Sequence, residues 1–146
     1  MRDFLAEYSV LVSYPKHLVL FFARIAVAYG FTYPALLKMQ DMQGTVKWFE
    51  SIGIPFASLM GMMVSYIEML GIICLTLGLF TRYISILLSF VMMGAIFFVH
   101  WKHGFPAADN GIEIPLYYFI FLMLFASFGP GKYSLDRFVF GEGKGD

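Results

Sequence analysis

The sequence predicts an all-α fold, an integral membrane four-helix antiparallel bundle, and three observations predict it. The first is composition: of 146 residues, 60% are hydrophobic and only 14% charged, with a mean hydropathy of +0.74. A soluble domain has about 45–50% apolar and about 25% charged residues, so this chain lies well outside that class. The second is that apolar residues gather into four segments, 17–39, 56–79, 82–103 and 112–129. Each is close to the ~20 residues that cross ~30 Å of hydrocarbon. The third is that none of them alternates as barrel strands do, and a span must satisfy its backbone internally, which leaves helices. Residues 1–146 read as a single membrane domain that ends in a short tail, 130–146.

Ten basic and ten acidic residues cancel, so the chain has no basic field for nucleic acid. A single cysteine, Cys74, excludes an internal disulfide and a C-x-x-C redox pair.

The elements follow in order. Residues 4–14, "FLAEYSVLVSY", read as a short interfacial helix or an extension of the first span. The first apolar run is too long for a signal peptide and lacks a small-residue cleavage site, so it is expected to be retained. In the first span Arg24, Ala28, Phe31, Ala35 and Lys38 fall on one face at the 3.6-residue period. "QDMQGTVKWFESIGIP" (40–55) reads as a polar loop punctuated by Gly and Pro.

The second span aligns Gly61, Ser65, Glu68, Gly71 and Gly78 on a stripe whose small residues admit close helix approach. Cys74 is read as projecting away from it, toward lipid or a neighbour. "LFTRY" (79–83) is a tight turn that makes the second and third spans antiparallel neighbours. On the third, Arg82, Ser85, Ser89, Met92, His100 and His103 are expected to share a face. "WKHGFPAADNGIE" (101–113) is a second polar loop.

The fourth span is the shortest and would stand nearly upright or thin the bilayer; Glu113, Tyr117, Ile120 and Leu124 are its expected inward face. "GPGKYSLD" (129–136) ends it, because Pro130 between two glycines cannot continue a helix. Arg2, Lys16, Arg82, Lys132, Arg137 and Lys144 lie on the side of the termini, against Lys38, Lys47 and Lys102 on the other. The positive-inside rule then places both termini in the cytoplasm.

Ionisable groups inside spans direct attention to function. A charge at the bilayer centre costs about 2.5–3.5 kcal/mol even on insertion scales, so such groups face the bundle and find partners. Measured along the helices from a common surface, Arg24 and Glu68 differ in depth by about 6 Å, within reach of a guanidinium. They are the expected buried pair. Arg24, Glu68 and Arg82 form one group in the cytoplasmic half. Lys38, His100, His103 and Glu113 form another at the outer ends, rimmed by Trp48, Phe49, Trp101 and Phe105. Trp48, Trp101 and Tyr33 read as interface anchors.

With these residues in view, the chain resembles the DoxX family of small four-helix membrane proteins. The resemblance spans about 20–137 and rests on "ARIAVAYGFTYPALLK", "GIP", "EMLGIICLTLGLFTR", "VMMGAIFFVH", "EIPLYY" and "GPGKYSLD". Where the family often has glycine in the first helix, this chain has Ala35 beside Pro34. The resemblance implies residence in a bacterial cytoplasmic membrane and association with redox systems: a quinone-reducing subunit of thiosulfate oxidation, or a partner of thiol and superoxide defence enzymes.

Under that reading a quinone lies in a pocket between helices, among Phe, Tyr and Met side chains. Its carbonyls meet Lys38 or Arg82, with Glu113 and Tyr117 lining the site. Arg24, Glu68 and His100 are the candidate catalytic groups, Glu68 or His100 moving protons.

Blander readings stand beside it. Arg24 and Glu68 could form a purely structural clasp. Glu68 could be protonated and merely hydrogen-bonded. His100 and His103 at i, i+3, with Asp109 and Glu113 nearby, could bind a metal, but such histidines are more often interfacial, and no metal is assigned. Haem ligation fits poorly, since His17 lies at the opposite surface. The ten methionines read as adaptable packing rather than copper ligands.

No redox centre is written in the chain, so electrons would come from a soluble or membrane oxidoreductase partner. The expected role is therefore a membrane subunit of a quinone-linked redox or oxidative-stress system, binding quinone or anchoring a partner. The alternatives are a non-catalytic assembly factor for another membrane protein and a small-solute carrier. A homo-oligomer is compatible with all three.

Overall fold

The computed structural model describes residues 15–141, and every regular element in that range is helical. The expected interfacial helix at 4–14 lies outside the described residues. Helix α1 is Lys16–Gln40, α2 Met42–Ser51, α3 Ala57–Leu77, α4 Thr81–Gly94, α5 Glu113–Phe128 and α6 Leu135–Phe140. Helix α4 runs on through a π-helical segment, Ala95–His100, and a 3-10 turn, Trp101–His103; a further 3-10 turn covers Ala107–Asp109.

The four long elements form an up-down-up-down bundle. Helix α1 packs on α3 and α5, and α4 packs on α3 and α5, so each helix touches two antiparallel neighbours. One end of the bundle, the turn end, holds the α3–α4 connection. The other, the loop end, holds the α1–α3 and α4–α5 connections. α1, α3 and the continuous Thr81–His103 helix are long and apolar enough to cross a membrane. At 16 residues α5, an apolar helix where the sequence places a short fourth span, reaches about 24 Å at 1.5 Å per residue.

The outer surface explains the composition. Phe22, Tyr29, Tyr66, Ile73, Phe90 and Phe97 are all more than half exposed, on every face that does not meet another helix. A soluble protein does not present apolar surface all round its bundle; a bilayer is the solvent that suits it. Inside, Val27, Phe31, Leu75, Leu88, Leu122 and Phe125 make the core.

Small residues set the close contacts. A Cβ on Gly71 would come within 2.7 Å of a Leu88 methyl, so α3 and α4 touch near the turn end because residue 71 has no side chain. Gly30 likewise makes room for the Tyr118 hydroxyl of α5.

The structure corrects four expectations about elements and faces. Residues 40–55 are not simply a loop: they hold α2, whose start is capped by Asp41 accepting from Gly44 N–H at 2.8 Å. Cys74 is 7% exposed and part of the core, since it follows Gly71 by three residues and precedes Gly78 by four on the same stripe.

On α5 the inward face is Pro115, Leu122 and Phe125, with Tyr118 packed against the core, whereas Tyr117, Ile120 and Leu124 face outward. That helix is apolar on all sides, so polarity was a poor guide to its orientation. On α4 Ser85 and Ser89 are buried as expected, while Arg82 and His103, at the two ends, are exposed.

Candidate functional site

Two polar clusters occupy opposite ends of the bundle. At the turn end Arg24, 1% exposed, donates from Nη1 to the Pro130 carbonyl at 2.9 Å and from Nη2 to the Tyr133 carbonyl at 2.7 Å. Gly78 permits this: its φ is +69°, and a Cβ there would strike the guanidinium. Asp136 locks the same segment onto the bundle. Its carboxylate accepts from Phe80 N–H at 2.6 Å and Thr81 N–H at 3.0 Å, capping the start of α4, while its own N–H donates to the Gly78 carbonyl. The "GPGKYSLD" stretch is thus a strap, fastened by Arg24 and Asp136 and, more weakly, by Lys132 N–H donating to His17 Nδ1 at 3.3 Å.

The second cluster lies deep on the loop-end side. Lys38 Nζ donates to Glu68 Oε2 at 2.8 Å, with the two side chains 15% and 3% exposed. Lys38 Nζ also donates to the Pro34 carbonyl at 3.2 Å. An ammonium has three N–H donors, so one is left for another acceptor. Glu68 Oε1 has no hydrogen-bond partner among the described residues.

The expected Arg24–Glu68 pair does not form. Arg24 stands level with Gly78, because α1 extends beyond the turn end of α3; the two helices do not start from a common surface. From that level Glu68 is ten residues away, about 15 Å, and Lys38 is fourteen residues away, about 21 Å, at 1.5 Å per residue. Side chains lean toward the N-terminus of their own helix. In antiparallel helices this brings Lys38 and Glu68 toward each other and carries Arg24 away from Glu68.

The Lys38–Glu68 pair borders a cavity of about 1070 Å³. Its walls are mostly apolar, with Ile67 and Met63 of α3, Leu87, Phe90 and Val91 of α4, and Ile114 and Tyr118 of α5 among them. Trp48 and Phe49 of α2 reach it from the loop end. The π-helical segment gives a turn an extra residue and shifts the face that α4 presents. As a result Gly94, Ala95, Phe98, Val99 and His100 all line the cavity. Pro34 supplies no N–H to the Gly30 carbonyl one turn before it, and both residues are in the wall.

Of the residues singled out from sequence, Lys38, Glu68 and His100 come together at this cavity. His100 Nδ1 lies 2.7 Å from the Asn110 carbonyl, which fixes the ring at the loop-end rim. Arg24 belongs to the strap. Arg82 lies beside Gly129 at the turn end, away from the pair. Glu113 and Tyr117 bond to each other at 3.2 Å, and Glu113 also accepts from Ala107 N–H; they tie down the 101–113 connection and do not line the cavity.

His103 turns its Nδ1 to the Val99 carbonyl at 3.1 Å. Among the described residues no group of three His, Cys, Asp or Glu side chains is placed to hold a metal ion. The sequence gives no role to Tyr118 or Gly94, whereas Trp48 and Phe49, expected at the rim of the Lys38 group, do line the cavity. For Tyr118 a signal was present: Pro115, Tyr118, Leu122 and Phe125 recur at helical spacing.

Comparison with known proteins agrees with this architecture. The DoxX family model matches residues 19–101, a range that includes Lys38, Glu68 and His100. The chain is 32% identical over 122 residues to a Bacillus subtilis protein named "Putative oxidoreductase CatD", covering 80% of this chain and 84% of that one. It is 31% identical over 130 residues to an Escherichia coli protein named "Inner membrane protein YphA", covering 84% and 91%. A Haemophilus influenzae protein without assigned function is 35% identical over 133 residues, covering 82% and 89%. No solved structure matches the chain. On the strength of the family model and of relatives similar along most of their length, the chain belongs to the DoxX family.

Proposed function

We propose that the protein is the quinone-binding membrane subunit of a redox or oxidative-stress system in a bacterial cytoplasmic membrane, with the cavity at Lys38 and Glu68 as its ligand site. The single observation that carries this is a spare donor and a spare acceptor on one buried ion pair beside a large apolar chamber. The chamber, at about 1070 Å³, is just above the ~300–1,000 Å³ usual for small-molecule sites. A quinone fits that donor set: it is a flat apolar ring whose polar atoms are hydrogen-bond acceptors when oxidised and donors when reduced. When bound it supplies two-electron, two-proton redox chemistry.

The chain's own residues then have definite tasks. Lys38 Nζ would donate its third N–H to an oxygen of the oxidised ring, and Glu68 Oε1 would accept from a hydroxyl of the reduced one. His100, at the loop-end rim, hands protons between water and the chamber. Phe90, Phe98 and Tyr118 give the ring apolar and aromatic surface. The electrons come from an oxidoreductase partner; the name of the Bacillus subtilis relative supports a redox role. The excess of Lys and Arg at the turn end supports cytoplasmic termini, which puts the strap on the side where a soluble partner would dock.

The test is isolation from native membranes in mild detergent, with extraction and quantification of bound quinone. Quinone is expected to co-purify with the wild type, to be lost in Lys38→Met and Glu68→Gln, and to be retained in Arg24→Gln. Absence of quinone from the wild type, together with no saturable binding of an added short-tailed quinone, would overturn the proposal. An assembly factor would give that result, and its deletion would lower the abundance of a partner protein instead.

A further inference from the structure

We infer that Gly94 keeps open a sideways portal between α3 and α4, through which the cavity takes its ligand directly from the bilayer. The ligand class is then a membrane-dissolved amphiphile, with an apolar tail in the gap and a hydrogen-bonding head at Lys38–Glu68. This deepens the proposed function: it rests on the cavity being a ligand site, but not on the ligand being a quinone.

Near the turn end the two helices are sealed by the Gly71–Leu88 contact. From that contact Glu68 lies about 4.5 Å farther along α3, and Gly94 about 9 Å farther along α4, at 1.5 Å per residue. Gly94 is therefore near the depth at which Lys38 and Glu68 meet. Leu87, Phe90, Val91, Gly94 and Phe98 form one stripe of α4 along the cavity, facing Met60, Met63, Val64 and Ile67 of α3. Met63, Leu87, Phe90 and Phe98 are exposed as well as cavity-lining, so the chamber meets the lipid-facing surface along this seam.

The glycine has no other explanation in the fold. Its φ of −57° and ψ of −45° are ordinary helical values that any residue adopts. A Cβ there would meet nothing within 4 Å, so no neighbour requires its absence, in contrast to Gly30, Gly71 and Gly78. Glycine inside a helix weakens it relative to alanine. What residue 94 contributes is space, opposite the Lys38–Glu68 pair in the chamber. An opening for a water-borne ligand would not need this seam, since His100 and Asn110 at the loop-end rim already offer a polar approach.

The experiment uses the full chain in phosphatidylcholine vesicles containing a long-chain fatty alcohol that carries one diazirine beside its hydroxyl and another at its chain end. After photolysis, adducts are mapped by mass spectrometry. In the wild type, adducts are expected on the inner-wall residues Ile67, Glu68 and Tyr118 as well as on the outward-facing Tyr66 and Ile73. Gly94→Phe is expected to abolish the inner set and leave the outer set intact. Met63→Trp, which narrows the gap from the other side, is expected to do the same, so one misfolded variant cannot decide the matter.

Gly94→Ala is expected to raise the midpoint of thermal unfolding, as for a helical position with free space. Inner adducts that survive both bulky substitutions, or a wild type labelled only on its outer surface, would overturn the portal. The two proposals fail separately: inner adducts without any quinone binding remove the quinone reading alone, and quinone bound without inner adducts removes the portal alone.

Discussion

Lys38 and Glu68 meet at 2.8 Å although their helices approach from opposite sides of the membrane. Both side chains lean toward the N-terminal end of their own helix, and antiparallel packing turns those leans toward each other. The pair is nearly removed from solvent, so each charge depends on the other.

That dependence makes the first prediction a double-mutant cycle. Removing one partner of a buried ion pair leaves an uncompensated charge and costs about 3–5 kcal/mol, whereas replacing both with apolar groups is often neutral. Lys38→Met alone and Glu68→Leu alone are each expected to destabilise by that order, and the two combined to recover most of the loss. Unfolding by a denaturing detergent, followed by helix content, measures all three. Additive losses would show that the two groups are not coupled.

Arg24 should behave as a fastening. Arg24→Gln is expected to free the strap at residues 129–136, seen as faster amide exchange and faster proteolysis there, with ligand binding at the cavity unchanged. Arg24→Lys should restore little, because one ammonium does not reproduce the guanidinium fork that reaches both the Pro130 and Tyr133 carbonyls. A ligand-binding defect with a protected strap would place Arg24 in the site after all.

Asp136 caps α4 from far along the chain. Asp136→Ala leaves the Phe80 and Thr81 N–H groups without their acceptor, at a cost of about 0.5–2 kcal/mol, typical of lost caps. Asp136→Asn, which keeps an acceptor oxygen, is expected to cost less. Thermal midpoints of the two variants in the same detergent provide the check.

Gly71 holds α3 and α4 together through the absence of a side chain. Gly71→Val drives a branched side chain into Leu88 and is expected to destabilise by about 1–3 kcal/mol, as overpacking does. Leu88→Ala in the same chain should relieve part of that loss, because it vacates the space the new side chain needs. A Gly71→Val protein as stable as the wild type would show that the helices part without cost.

Much of the fold was legible because a bilayer imposes simple rules. Apolar length and the absence of alternation specify helical spans, and the stripes holding Arg24 to Ala35 and Gly61 to Gly78 are buried as periodicity indicates. Periodicity also identifies Glu68 as an inward charge. It failed on α5, where apolar residues surround the helix, and at α2, which a polar composition disguised as loop.

What the sequence alone determined is a helical membrane bundle with a few submerged ionisable groups that have to find partners. Which partners they find is a matter of helix packing. Pairing depends on how far each helix slides along its neighbour and on the direction in which each side chain leans. Those are relations between helices, and a one-dimensional measure of depth does not contain them. Arg24 therefore fastens the strap instead of meeting Glu68, and Lys38, Glu68 and His100 form one site because α1, α3 and the π-helical end of α4 converge on the same cavity.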